Sequence, residues 1–151
     1  NPGLEMWSAD SKGLRNVKGD ILNGRVRSTN FGIWWDGDLL RELLDHERVL
    51  KYDWKAGRTY TLLQLKNCKF NNGTKSNPCL SADILGDWRE EILTRDETSS
   101  ELRLYVSTIP TTHRMTCLEE DVPYRLGVAA ENSGYNQPPE TGFYFGAESK
   151  F

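Results

Sequence analysis

Histidine, cysteine and methionine are scarce in this sequence, at two, three and two residues of 151. No Cys/His spacing suggests a zinc centre. No run of about 18 apolar residues occurs, the length that a membrane-spanning helix requires, and the longest apolar stretches, such as Phe31 to Trp35, have strand length. A basic excess is missing too. The formal net charge is -3, whereas nucleic-acid binding calls for a clustered basic face. The expectation is therefore no membrane span and no nucleic-acid partner. A basic, apolar leader with a small-residue cleavage site is also absent near Asn1, which carries no weight in a chain that opens inside a repeat, as argued below.

What is present is an ordinary globular composition, 37% hydrophobic, 27% charged and 11% aromatic, at a length that one domain accommodates. Strand signals dominate. The segments from Arg58 to Leu65, Leu102 to Ile109 and Tyr124 to Ala129 alternate or are rich in β-branched and aromatic residues, and Gly, Pro, Asn and Asp bound them. Leu39 to Asp45 has a helical look but is too short to stand alone. Many short strands at close spacing predict an all-β barrel, sandwich or propeller. Cys68 and Cys79 flank a turn-rich segment. They are either a disulfide suited to an oxidising compartment or two separate small hydrophobes. Cys117 lies in what reads as a strand, and a buried inert thiol is its expected role.

A repeat narrows the architecture. Gly37-Asp38-Leu39-Leu40-Arg41-Glu42-Leu43-Leu44 and Gly86-Asp87-Trp88-Arg89-Glu90-Glu91-Ile92-Leu93 share Gly-Asp, three residues, Glu and two apolar residues. A weaker third copy runs from Pro2 to Trp7. Units of roughly 40–50 residues are the size of a propeller blade. About three such units fit here and propellers have four to eight blades, so the chain is expected to be a fragment of a longer protein, residues 1–151 forming the C-terminal portion of a propeller domain.

Acidic residues cluster within the repeat. Asp83, Asp87 and Glu91 stand at the first, fifth and ninth positions of one loop, and Asp36, Asp38 and Glu42 occupy the other copy. Carboxylates alternating along a tight loop, with carbonyls between them, can surround a hard cation. Calcium accepts six to eight oxygens with loose geometry, and Gly86 permits the sharp turn. Unneutralised, such carboxylates repel. The alternative is a pair of solvated acidic turns with Arg41 or Arg89 as surface partners. Calcium here would be a structural staple.

Five segments taken in order resemble polysaccharide lyase family 11, the rhamnogalacturonan lyases. They are Asn30 to Asp45, Asn71 to Lys75, Ala82 to Glu91, Thr108 to Thr111 with His113-Arg114, and Tyr135 to Pro139. The likeness runs from about Pro2 to Gly146, nearly the whole chain. It implies an eight-bladed β-propeller with calcium-binding blade loops, of which this chain would supply about three blades, and β-elimination of rhamnogalacturonan I, an acidic pectic polysaccharide. It also implies a secreted, periplasmic or cell-surface location, the remaining blades of the same chain as partners, and an inactive isolated fragment. By resemblance, Lys75 would meet the substrate carboxylate and Tyr135 would pack on a sugar ring. Asn72, Thr74 and Asn132 would line the cleft around calcium and substrate. Gly134 stands where relatives are expected to have alanine. A further arginine of the family has no counterpart in this sequence.

The chemistry suits those residues. Removing the C5 proton of a uronate requires the adjacent carboxylate to be neutralised, which a lysine, an arginine or calcium does. Without the resemblance, Lys75 reads as a solvated turn lysine and Tyr135 as a surface tyrosine before a Pro-Pro turn. His46 reads as exposed and His113 as structural, so no general base is assigned. Two further function classes compete: a calcium-stabilised propeller that only binds, and a glycoside hydrolase with paired carboxylates.

Overall fold

The computed structural model describes residues 5–8, 13–22, 24–26, 30–131, 133 and 137–144. Two antiparallel sheets carry the architecture. The first contains β1 (Phe31–Ile33), β2 (Glu42–Asp45), β3 (Arg48–Asp53) and β4 (Arg58–Gln64), in sequence order. The second contains β5 (Leu80–Ala82), β6 (Glu91–Arg95) and β7 (Leu102–Tyr105), again in order. Each sheet begins with a hairpin whose loop is one of the acidic repeats, and the registers agree. Phe31 faces Leu44 across the first hairpin, as Leu80 faces Leu93 across the second.

Apolar residues on the strands explain where the sheets bury. Ile33, Leu44, Val49 and Ile92 are wholly buried in a cluster with Phe31, Trp35, Leu65 and Phe70, which spans both sheets. Full burial of each such side chain contributes roughly 1.5–3 kcal/mol. Adjacent tryptophans separate: Trp35 joins that cluster, while Trp34 packs with Trp88, Leu118 and Tyr124. The weak third copy contributes a small ladder in which Arg15 bridges both Met6 and Ile21; Pro2 to Leu4 lie outside the described residues.

Several expectations need correction. Tyr124 to Ala129 is not a strand but part of helix α1 (Val122–Ala130). Asp121 caps it by accepting the Tyr124 N–H, and Pro123 fits its first turn. The segment alternates, yet Tyr124 and Val128, one turn apart, share a cluster while Leu126 is exposed, so the period is helical. Strand β7 ends at Tyr105, short of Ile109. Cys117 sits at the start of a 3-10 turn (Leu118–Glu120), not in a strand. Cys68, Cys79 and Cys117 are all free thiols, the unbridged alternative. Leu39 to Leu40 belong to the loop before β2, so no helix forms there. Among the described residues no helix is long and apolar enough to cross a membrane.

Candidate functional site

The two acidic loops share the backbone bonds made by their aspartate and closing glutamate. Glu42 Oε2 accepts the Trp35 and Asp36 N–H groups at 2.9 and 3.0 Å. Glu91 Oε2 accepts those of Ile84 and Leu85 at 2.8 and 2.9 Å. Asp38 Oδ1 takes the Leu40 N–H and Asp87 Oδ1 the Arg89 N–H. Gly37 and Gly86 both adopt positive φ, at 83° and 75°, a conformation with little cost for glycine. The first residue of each second strand therefore closes the loop before it.

The loops differ in how their acids converge. Asp36, Asp38 and Glu42 form a group whose carboxylate oxygens lie within 4.8 Å of one another, and such a donor set could hold a metal ion. Lys51, on β3, places its Nζ among them, 2.8 Å from Asp36, 2.6 Å from Asp38 and 2.6 Å from Glu42. Burial pushes Glu42 up to about 7 against the opposing pull of Lys51. The same burial is outweighed at Lys51, whose three carboxylate partners raise its pKa.

In the second loop Asp83, Asp87 and Glu91 do not form an equally tight group. Asp87 pairs with Arg89, which places Arg89 in the surface role weighed for it. Asp83 Oδ2 accepts the Leu118 N–H at 2.8 Å, while its Oδ1 is buried without a hydrogen-bond partner. Burial raises the Glu91 pKa, and the charges of Asp83 and Asp87 add to the effect. Arg41 is not a partner of Asp38. It lies over the Trp34 ring and pairs with Glu140 and the buried Glu90.

Around both loops runs a buried polar network that sequence reasoning missed. Glu90 exchanges backbone and side-chain bonds with Trp34: its N–H donates to Trp34 O, and its Oε2 accepts the Trp34 N–H. The Tyr124 hydroxyl donates to Glu90 Oε1 at 2.8 Å and accepts the Asp83 N–H at 2.9 Å. Burial pushes Glu90 up to about 7, opposed by Arg41. The segment from Ile109 to His113 lies against both loops. Thr111 donates to Gly37 O, Arg89 donates to Ile109 O, and Trp88 Nε1 donates to His113 O.

The segment from Asn71 to Asn77 is a closed turn. Asn71 and Asn77 exchange backbone bonds at its base, and Arg95 Nε donates to Asn71 Oδ1. A 3-10 turn (Gly73–Lys75) sits between Asn72 and Ser76, both in the left-handed region. Asn72, Thr74 and Lys75 are exposed at its tip. A cavity of about 600 Å³ has Arg41, Glu42, Gln137, Pro138 and Glu140 on its walls, but none of Asn72, Thr74 and Lys75. Asn132 and Tyr135 lie outside the described residues. His46 is exposed in the β2–β3 turn, 3.7 Å from Asp45, and His113 is exposed as well.

Residues 1–150 match the family model described as Rhamnogalacturonan lyase family 11, C-terminal domain. The rhamnogalacturonan endolyase YesW of Bacillus subtilis (strain 168) is 53% identical over 146 residues, 96% of this chain and 23% of its own length. The rhamnogalacturonan exolyase YesX of the same organism is 46% identical, over 98% of this chain and 27% of its own. Among solved structures, rhamnogalacturonan lyase YesW superposes with a TM-score of 0.92 at 50% identity, over 99% of this chain and 25% of that one. The Bacillus licheniformis rhamnogalacturonan lyase superposes with a TM-score of 0.91 at 53% identity, over 97% of this chain and 25% of that one. The chain thus spans about a quarter of the length of these relatives.

Proposed function

The chain belongs to rhamnogalacturonan lyase family 11, as its C-terminal domain, and from that premise we propose that it is part of a lyase cleaving the rhamnose–galacturonate backbone of pectin. The observation that carries this reading is likeness along nearly the whole chain to proteins named as rhamnogalacturonan lyases. In the reaction, a base takes the C5 proton of galacturonate, the electron pair forms a C4–C5 double bond, and the C4–O bond breaks. Charge builds on the substrate carboxylate as the proton leaves, so a fixed ammonium beside it lowers the barrier.

Lys75 is suited to that part. Its turn is clamped at the base by the Asn71–Asn77 bridge, which holds the exposed tip in place. Thr74 and Asn72 would flank the sugar, with Tyr135 and Asn132 completing the cleft. Each sheet with its acidic hairpin would be a blade of a propeller whose other blades come from the same longer protein. The isolated domain, with sheet edges that lack those neighbours, would be inactive. A polymeric pectic substrate would suit an enzyme that is secreted, periplasmic or at the cell surface.

Calcium fits the second loop better than the first. Asp83 contributes a buried carboxylate oxygen with no protein partner, beside Glu91, with Asp87 on the rim. There an ion would neutralise clustered charge and brace the loop. In the first loop, Lys51 already stands where an ion would sit.

The test is product analysis with the intact protein on rhamnogalacturonan I. A lyase leaves unsaturated, ultraviolet-absorbing ends, a hydrolase leaves saturated ends, and a binding module leaves the polymer whole. Lys75→Ala should lower turnover by roughly 100-fold, the scale of removing one preorganised electrostatic contact. Its melting temperature should stay unchanged, since the side chain is exposed. Equal loss of activity and stability would mean a structural lysine.

A further inference from the structure

The two acidic loops share one backbone plan but differ in two of their acids, Trp34 and Asp36 standing where the second loop has Asp83 and Leu85, and in the residue that faces the closing glutamate across the strands. In the first sheet, between β2 and β3, Leu43 faces Leu50 and Leu44 faces Val49, so the next pair outward sets Glu42 against Lys51. In the second sheet, between β6 and β7, Ile92 faces Tyr105 and Leu93 faces Leu104, which sets Glu91 against Val106. A lysine therefore points into the first loop where a valine follows the second. The ammonium offers three hydrogens, and three carboxylates stand at 2.6 to 2.8 Å from it. Its side chain is only 10% exposed.

We propose that Lys51 is the resident cation of the first loop, its ammonium holding the place of a divalent ion, so that this loop closes without metal. The ammonium holds the centre of that group. Calcium would need oxygens at about 2.3–2.6 Å on all sides, and the point equidistant from the Asp36, Asp38 and Glu42 oxygens is where Nζ lies. Three hydrogen bonds to carboxylates satisfy the ammonium fully, so it gains nothing by leaving. Glu42 is tied at the same time to the Trp35 and Asp36 N–H groups, which passes the order of the ion cluster directly to the loop backbone. A tethered cation also carries no dissociation equilibrium, so the first loop should keep its shape in chelator. This inference concerns the first loop alone and stands whether or not the protein is a lyase.

Ion counting on the intact protein tests it. After exhaustive chelation and reloading with calcium, bound metal is measured by mass spectrometry for the wild type, Asp38→Asn, Lys51→Met and the double variant. Asp38→Asn should leave the calcium count unchanged, because no ion uses that carboxylate. Lys51→Met should gain one ion per chain, and the double variant should lose it again. A drop of one ion in Asp38→Asn would overturn the proposal, as would a folded Lys51→Met protein with an unaltered count in excess calcium. Should Lys51→Met fold only in calcium, that rescue supports the same conclusion. Should it fail to fold at all, Asp38→Asn decides.

Discussion

Glu131 ends helix α1 with a side chain that is 1% exposed and accepts the Ser81 N–H on both oxygens, at 3.0 and 3.1 Å. Burial raises its pKa to about 8; the Ser81 bond pulls it down and the Glu90 charge adds to the rise. Among the described residues no cation pairs with it, unlike Glu42 and Glu90, so its titration is the simplest to read. From its ordinary value of 4.5 up to about 8, the folded protein keeps a proton that the unfolded chain has lost. Unfolding then releases protons, and stability falls as pH rises through that window, by at most about 1.4 kcal/mol per pH unit for one group. Glu131→Gln keeps an acceptor for Ser81 and removes the titration. Its melting temperature should match the wild type near pH 5 and exceed it near pH 8. Parallel curves across that range would mean that Glu131 is ionised in the folded state throughout.

The acidic hairpin loop is the unit that repeats, and its glycines show how the two copies have diverged. A Cβ on Gly37 would come within 2.7 Å of Thr111 Cβ, whereas one on Gly86 would meet nothing nearer than Cys117 Sγ at 3.7 Å. Both residues have positive φ. Gly86→Ala should therefore cost only backbone strain, about 1 kcal/mol, and Gly37→Ala roughly 2–4 kcal/mol, since Thr111 must also move. Chemical denaturation of the two variants distinguishes them, and equal losses would contradict the packing of Thr111 on the first loop. Much of this element was legible in advance. The shared Gly-Asp and Glu positions marked both loops, and Arg58 to Gln64 formed its strand. Helix α1 was hidden by the alternation of Tyr124, Leu126 and Val128, although Asp121 followed by Pro123 is a helix-start signal in plain view.

At the scale of the molecule, the two sheets are joined by polar bonds as well as by the shared apolar cluster. Glu90 of the second loop and Trp34 before the first bond each other through backbone and side chain, and Tyr124 links Glu90 to Asp83. These groups are buried, so any partner left behind is deprived of water. Tyr124→Phe keeps the ring and deletes the hydroxyl, leaving the Asp83 N–H and Glu90 Oε1 each short of a partner. The expected loss is about 1–3 kcal/mol in unfolding free energy. A neutral result in denaturant titration would show that the hydroxyl does not connect helix α1 to the loops. The same network orients Arg41 toward Glu90 and the Trp34 ring, away from the acidic loop beside it.

The sequence by itself determined the family, the β-rich architecture and the position of both acidic loops, because each is written in residues close together in the chain. Loop glycines, cross-repeat glutamates and the Asn-Gly-Thr-Lys turn depend only on local geometry. Tertiary structure alone decided which cation meets which acid. Lys51 reaches Glu42 only through the register set by the His46–Glu47 turn, and Glu90 reaches Tyr124 across 34 residues. Burial is equally a property of the assembled fold. It raises Glu42, Glu90 and Glu131 above the ordinary carboxylate range, and no count of charges along a chain can indicate which ones.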